Sequence, residues 1–259
     1  MHVASIQMEM SDRSKAKNWE RADRLLDRAR GADLVLMPEI WNIGYFCFDR
    51  YREDSEDLNG ETASRMSRWA EELGAYLFAG SLVERDGENC YNTALFFGPD
   101  GERLATYRKI HLFGYGSRES QILTAGRDPV VVDTAIGKFG ITTCYDLRFP
   151  ELYRTLMNRG AEMFLVASGW PFPRLEHWIM FNRTRAIENV AFLASSNCVG
   201  RNAGAHFCGH SMVVDPWGVV IAGAGDEECV VRAEIDLNKV AEVRKVFPAL
   251  QDIALPLAP

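Results

Sequence analysis

Residues 140–151 read GITTCYDLRFPE and join a predicted strand to a predicted helix. The β-branched and aromatic residues of segment 138–143 favour a strand, and Pro150 suits the first turn of a helix. Cys144 lies at the junction, where the positive end of the helix would favour its thiolate form. A free cysteine in such a place is more often a small buried apolar residue. The meaning of Cys144 therefore depends on the rest of the chain.

Strands and helices alternate along most of the sequence, with several strands also following one another directly. Helices are predicted at residues 13–30, 63–73, 151–159, 175–189 and 237–247, and strands at 3–8, 33–37, 76–83, 91–97, 103–109, 130–133, 138–143, 163–167, 191–197, 210–214, 219–222 and 229–235. No linker or low-complexity segment interrupts the pattern, so we expect one domain over residues 1–259. The alternation predicts an α/β fold in which mixed sheets are covered by helices.

Composition excludes several classes of function. The formal net charge is −7, and no basic stripe is available to neutralise nucleic-acid phosphates. No apolar run approaches the length of a membrane span, and the N-terminus lacks the pattern of a signal peptide. The six cysteines include no CxxC pair, so we expect free thiols in a reducing, cytoplasmic setting, with no metal site.

Two other segments carry candidate reactive groups. In LVLMPE, residues 34–39, a buried strand runs directly into Glu39, which would lie at the edge where α/β sheets place their sites. In LATYRKIHLF, residues 104–113, Lys109 is flanked by apolar and aromatic residues. Each has a plainer alternative. Glu39 could be a solvated loop acid, and Lys109 a lysine pointing to water from a strand edge.

A glutamate, a lysine and a cysteine together form a coherent acyl-transfer chemistry. A thiol needs a proton acceptor to attack a carbonyl group, and a carboxylate can accept that proton if burial raises its pKa. The carbonyl oxygen becomes negative during the attack, and a buried lysine can stabilise it. No histidine is required for this reaction.

These segments resemble the signatures of the nitrilase superfamily of carbon–nitrogen hydrolases. The similarity appears in the family's order and runs almost end to end. The matching segments are Pro38-Glu39, YRKIHL (107–112), CYDLRFPE (144–151), Trp170-Pro171 with Arg174 and His177-Trp178, RAIEN (185–189), SSNCVG (195–200), Gly209-His210-Ser211 and the turn at 215–218.

The resemblance implies a four-layer αββα sandwich that is usually dimeric. It also implies a reaction that needs no cofactor. It also implies roles: Cys144 as the nucleophile, Glu39 as the general base, and Lys109 with the backbone N–H of Tyr145 as the donors to the oxyanion. A second family glutamate falls on Glu119, where it would orient Lys109. The chain departs from many members at residue 125, where alanine replaces proline.

The segment GWPFPRLEHW, residues 169–178, is most similar to the ω-amidase-like branch. Members of that branch hydrolyse the terminal amide of short dicarboxylic monoamides such as 2-oxoglutaramate, so a small-molecule amide is the expected partner. Hydrolysis of N-carbamoyl compounds or nitriles remains an alternative within the superfamily. Tyr45, Trp170 and Phe172 are candidate pocket walls.

A substrate carboxylate would need a cation to bind it. Arg148 is one candidate because it follows Cys144 closely and a guanidinium suits a carboxylate. The alternative for Arg148 is a structural ion pair with Glu151 or Glu188. Arg201 is the second candidate cation.

Three interpretations that assign the protein to other classes of function remain open. A cysteine–histidine protease would pair Cys144 with a histidine, but it leaves Glu39 and Lys109 without a role. A metal site could use His206 and His210, although nearby glycines make the helix that such spacing needs unfavourable. A catalytically silent scaffold could bind partners through the same fold.

Overall fold

The computed structural model describes residues 1–11 and 13–255. The domain predicted over residues 1–259 also includes residue 12 and residues 256–259, which lie outside the described residues. Within the described residues the helices are α1 (Lys15–Asp27), α2 (Glu61–Leu73), α3 (Glu119–Ile122), α4 (Pro150–Asn158), α5 (Leu175–Asn189) and α6 (Asn238–Val246). The strands are β1 (His2–Met10), β2 (Leu34–Leu36), β3 (Tyr76–Asp86), β4 (Asn89–Phe97), β5 (Arg103–Arg108), β6 (Val130–Thr134), β7 (Gly137–Thr143), β8 (Met163–Ser168), β9 (Phe192–Asn202), β10 (Ala205–Cys208), β11 (Met212–Val214), β12 (Val220–Gly223) and β13 (Cys229–Glu234).

Two sheets are joined through the long strands β1 and β9. The hydrogen-bonded path runs β5-β4-β3-β2-β1-β9-β8-β7-β6. The first part of β1 pairs with β2 and β13, whereas Met8 to Met10 pair in parallel with β9 at residues 198–200. The first part of β9 pairs with β8 and β11. Each long strand therefore begins in one sheet and meets the other at its carboxyl end.

Alternating side chains divide the core into three apolar layers. Val35 of β2 packs in the layer that contains Leu25 and Leu26 of α1. Its neighbours Leu34 and Leu36 face a second layer, which also holds side chains of β7 and β8 and so lies between the sheets. A third layer packs β8 and β9 against α4 and α5. Helix, sheet, sheet and helix thus stack in that order, which confirms the predicted four-layer αββα sandwich.

The carboxyl ends of several strands meet at one place. β2 leads into Glu39, β7 into Cys144 and β8 into Gly169, and the backbone N–H of Glu39 donates to the carbonyl of Ser168 at 3.5 Å. Gly80 of β3 lets the chain that leads into Glu39 pass close to it, because a Cβ on Gly80 would lie 1.9 Å from the carbonyl oxygen of Pro38 and its φ is +66°. Strand ends from both sheets therefore supply the same site.

Most predicted elements are present, and the differences have local causes. Helix α5 has the predicted bounds, and Gly74 ends α2 in the left-handed conformation as expected. Strand β9 continues past residue 197 to Asn202 and pairs with β10, a strand that was not predicted because glycines flank it. The strand predicted from residue 210 begins at Met212. No helix among the described residues is long and apolar enough to cross a membrane.

Candidate active site

Cys144 occupies a sharp turn between β7 and α4. It opens a short 3₁₀ segment, Cys144–Arg148, and its φ is +49°, a conformation that non-glycine residues rarely adopt. Such strain costs on the order of 1–3 kcal/mol and persists only where the surroundings impose it. Asp146 imposes it here, since its Oδ2 accepts the Thr143 backbone N–H at 2.9 Å and the Tyr107 hydroxyl at 2.7 Å.

Glu39, Lys109 and Glu119 form a fully buried charge cluster. Lys109 Nζ lies 2.8 Å from Glu39 Oε1 and 2.9 and 3.0 Å from the two carboxylate oxygens of Glu119. All three side chains have 0% exposure. Burial rules out both plainer alternatives. The Glu39 carboxylate is not solvated, and the Lys109 ammonium does not point to water. One buried ammonium is thus shared by two buried carboxylates.

Further donors satisfy the two carboxylates. Asn92 Nδ2 donates to Glu39 Oε1 at 2.8 Å and to Glu119 Oε1 at 2.9 Å. The backbone N–H of Gly169 donates to Glu39 Oε2 at 2.9 Å. Glu119 Oε2 accepts the Phe113 backbone N–H at 2.7 Å and the Tyr45 hydroxyl at 3.1 Å. These bonds fix the orientation of both carboxylates.

The electrostatics of the site follow from burial and from the shared charges. Burial raises the pKa of Glu39, and Lys109 lowers it in part while Glu119 raises it. Burial alone would lower the pKa of Lys109, but Glu119 and Glu39 hold that pKa well above its ordinary value. Lys109 is therefore a permanent cation, and Glu39 is a stronger base than an exposed glutamate.

The expectation that the helix would favour a thiolate at Cys144 is wrong for the resting protein. Burial raises the pKa of Cys144 well above its ordinary value, the negative charge of Glu39 raises it further, and Lys109 lowers it only in part. The 3₁₀ segment also separates the cysteine from the first turn of α4 at Pro150. Burial and the negative charge of Glu39 thus both oppose ionisation of the Cys144 thiol in the resting protein.

A narrow pocket opens onto Cys144. Tyr45, Tyr145, Arg148 and Trp170, all of them candidates from the sequence, lie on its wall. Phe172 does not line this pocket; its ring lies against His206 at a centroid distance of 4.7 Å. The remaining lining residues are Phe113, Gly169, Pro171 and Arg174.

Among the described residues, Arg148 does not form the structural ion pair that was one of the two interpretations of this residue. Within residues 1–11 and 13–255 it forms no salt bridge with Glu151 or Glu188, and Glu188 pairs with Arg185 at 2.7 Å instead. The Arg148 guanidinium stacks over Trp170 at 4.8 Å from the ring centroid. Arg201, the other candidate, is exposed and is not part of the pocket wall.

The described residues contain no cluster of three or more histidine, cysteine, aspartate or glutamate side chains placed to hold a metal ion. His206 lies on β10, so it is not on a helix with His210. His210 directs its Nδ1 to the carbonyl oxygen of Cys208 at 2.7 Å.

Among the site residues that the sequence does not mark as functional are Asn92 and Arg174. Asn92 lies within an apolar strand, and an asparagine at a buried position of such a strand must find polar partners. Arg174 appeared only as part of a motif. The sequence signal for Arg174 is a second arginine near the aromatic residues of segment 169–178. Only the fold shows that Arg174 and Arg148 line the same pocket.

Comparison with known proteins agrees with this geometry. The carbon-nitrogen hydrolase family profile matches residues 2–245. A 2-oxoglutaramate amidase of Bacillus subtilis (strain 168) is 36% identical, with 97% of this chain and 96% of the relative covered. The ω-amidase NIT2 of Homo sapiens is 36% identical, with 96% and 93% covered. The crystal structure of Saccharomyces cerevisiae Nit3, a member of branch 10 of the nitrilase superfamily, superposes with a TM-score of 0.90 at 32% identity, covering 98% and 97%. The chain therefore belongs to the carbon-nitrogen hydrolase family.

Proposed function

We propose that the protein is a thiol-dependent ω-amidase, which hydrolyses the terminal amide of a short dicarboxylic monoamide such as 2-oxoglutaramate. The observation that carries this proposal is Arg148, a cation that has no carboxylate partner among the described residues and faces the same pocket as Cys144. Relatives named 2-oxoglutaramate amidase and ω-amidase support the same substrate class. N-carbamoyl compound hydrolysis is the alternative within the family.

In the first half-reaction, Cys144 Sγ attacks the amide carbon while Glu39 accepts the thiol proton. The raised pKa of Glu39 suits it to this task, because a base works best when its pKa approaches the working pH. The carbonyl oxygen becomes an oxyanion held by Lys109 Nζ and the Tyr145 backbone N–H. When the C–N bond breaks, Glu39 returns its proton to the nitrogen, ammonia leaves, and a Cys144 thioester remains.

In the second half-reaction, water replaces ammonia at the same position. Glu39 accepts a proton from the water as the water oxygen attacks the thioester carbon. The C–S bond then breaks, the carboxylic acid leaves, and Glu39 returns the proton to the Cys144 sulfur. Glu119 acts as a positioning residue, since it holds Lys109 Nζ at 2.9 and 3.0 Å beside Glu39.

Arg148 would supply the substrate selectivity. A guanidinium can donate two parallel hydrogen bonds to a carboxylate. Its stacking over Trp170 occupies one face of the group and leaves its N–H edges available. A substrate with its amide at Cys144 and a carboxylate a few atoms away therefore fits this pocket better than a neutral amide does.

An ammonia-release assay tests this function directly. The panel contains ω-amides of short dicarboxylic acids, neutral amides of the same length, N-carbamoyl amino acids and aliphatic nitriles. We expect the ω-amide acids to have the highest kcat/KM. A preference for N-carbamoyl compounds or nitriles would reassign the substrate, and release from none of them, with Cys144 intact by mass, would leave the scaffold alternative in place.

We also propose that the protein works as a homodimer and that residues 1–259 form one catalytic domain. Met180 and Ile187 are exposed on α5, and Trp217 and Val219 are exposed beside them on the turn before β12. Ile187 lies against this turn, because a Cβ on Gly218 would be 2.4 Å from its side chain. These exposed apolar side chains would suit a second copy of the chain.

Light scattering after size-exclusion chromatography tests the dimer. Ile187→Asp should shift the protein to monomer, whereas Leu104→Asp, on a different face, should not. A wild-type monomer at micromolar concentration would contradict the proposal. A cytoplasmic, reducing setting fits the proposed enzyme, because its nucleophile is a thiol and all six cysteines are free.

A further inference from the structure

Two guanidinium groups, those of Arg148 and Arg174, line the pocket that holds Cys144. Arg174 immediately precedes α5, and the backbone there is tied to the pocket wall because Trp170 Nε1 donates to the Arg174 carbonyl at 2.9 Å. No aspartate or glutamate is among the described residues that line this pocket. Two positive charges therefore face one small space in which a nucleophile is also present.

Aromatic rings hold the two arginines, and carboxylates do not. The Arg148 guanidinium lies over the Trp170 ring at 4.8 Å, and that of Arg174 lies over the Phe113 ring at 5.4 Å. Neither forms a salt bridge with any acid in the part of the chain that the structure describes. Arg148 contacts His177 Nδ1 at 3.2 Å, which occupies only one of its five N–H groups. Stacking fixes the two planes and leaves hydrogen-bonding edges for a ligand.

The two charges are close enough to affect each other. Burial lowers the pKa of Arg148, Tyr145 and Cys144 raise it in part, and the positive charge of Arg174 lowers it again. The two half-buried cations repel each other, and no acidic side chain among the described residues lines their pocket, so an anion bound between them would offset that repulsion. The arrangement is thus prepared for a negatively charged group of the substrate.

We propose that Arg174 is a specificity residue that binds the distal carboxylate of the substrate together with Arg148. This inference rests on the ω-amidase function proposed above and extends it to a second cation. One carboxylate oxygen would accept from Arg148 and the other from Arg174, while the amide carbon lies at Cys144. Such a clamp selects an acid whose length matches the distance from Cys144 to the two arginines.

The test compares two amides of equal length, succinamate, which bears the carboxylate, and butyramide, which does not. Four proteins are measured for kcat and KM by ammonia release: wild type, Arg174→Gln, Arg148→Gln and the matched control Arg201→Gln, whose arginine is exposed outside the pocket. We expect Arg174→Gln to lower the succinamate-to-butyramide ratio of kcat/KM by about 10- to 100-fold, as for one lost charged hydrogen bond, mainly through KM. Arg201→Gln should leave the ratio unchanged.

The outcomes separate the two proposals. If wild type prefers succinamate and Arg148→Gln loses that preference while Arg174→Gln keeps it, the clamp is overturned and the ω-amidase function stands. If wild type treats both amides alike, the function itself fails, and the clamp fails with it.

A second measurement covers the case in which Arg174→Gln folds poorly. The affinity for succinate, the product, is measured by calorimetry in Cys144→Ala with Arg174 present, with Arg174→Lys or with Arg174→Gln. The clamp predicts weaker binding in the lysine variant, because lysine keeps the charge but loses the planar donor pair. Equal affinity in Arg174→Lys and in the parent, with both folded, would contradict it.

Discussion

Asp146 and His111 hold the turn at Cys144 against the segment that carries Lys109. Asp146 Oδ1 accepts the His111 backbone N–H at 3.0 Å and contacts His111 Nδ1 at 2.8 Å. His111 follows Lys109 by two residues, and Asp146 follows Cys144 by two. The His111 ring also stacks on Phe149 with a centroid distance of 3.7 Å. This pair therefore fixes the distance between the thiol and the cation.

Asp146→Asn should destabilise the fold and slow the reaction. The amide nitrogen cannot accept the hydrogen bonds that one carboxylate oxygen receives now, and each buried donor left without a partner costs about 1–3 kcal/mol. Urea denaturation should show a loss of that size in the free energy of unfolding, together with a lower kcat. Asp133→Asn is the control, since Asp133 is exposed and pairs with Lys138 at the surface. An Asp146→Asn protein as stable and active as wild type would refute this role.

Lys109→Met should lower kcat by on the order of a hundredfold or more, the usual effect of removing one oxyanion donor. Its loss would also leave two buried carboxylates, Glu39 and Glu119, without their shared cation. Lys138→Met removes an exposed lysine and should leave kcat unchanged. Retention of kcat within a few-fold in Lys109→Met would exclude the proposed role of the ammonium group.

Asn92→Ala should shift the pH profile. Glu39 must be ionised to accept the thiol proton, so kcat/KM rises with pH through the raised pKa of Glu39 and is lost below it. Asn92 donates to the ionised carboxylate, and without this donor the pKa rises further. The acid limb should therefore move to higher pH. Asn89→Ala, at the exposed start of β4, should not move it, and an unshifted limb in Asn92→Ala would contradict the account.

The reactivity of Cys144 in the free enzyme should depend strongly on pH. Its pKa lies well above the ordinary value, so the thiolate fraction should climb about tenfold per pH unit below that pKa. Labelling by methyl methanethiolsulfonate, followed by peptide mass spectrometry at Cys144, should accelerate steadily from pH 6 to pH 9. A rate that is already maximal near pH 6 would indicate a stabilised thiolate instead.

The sequence was sufficient to predict the architecture, and it singles out Glu39, Lys109 and Cys144, which the structure brings to one site. Glu39, Lys109 and Cys144 each stand beside a strand, and their local motifs are specific enough to suggest a shared chemistry. The αββα layers follow from the alternation of strands and helices together with the family resemblance. These features are local in the chain, or repeat along it, and do not require knowledge of long-range contacts.

The sequence was insufficient where distant segments meet. The partners of Arg148 could not be derived, because its aromatic neighbours Trp170 and Phe181 come from segments more than 20 residues away. The raised pKa of Cys144 depends on burial and on Glu39, which follows a strand of the other sheet. Asn92 gains its importance only when Glu39 and Glu119 are brought to either side of its amide.

Intact-protein mass spectrometry of the acid-quenched reaction tests the central claim most directly. During steady turnover of succinamate, a fraction of the protein should gain the mass of the substrate less ammonia, and peptide mapping should place this acyl group on Cys144. The Cys144→Ala protein should show no gain and release no ammonia. Ammonia release by Cys144→Ala, or turnover with an acyl group located elsewhere, would contradict the account.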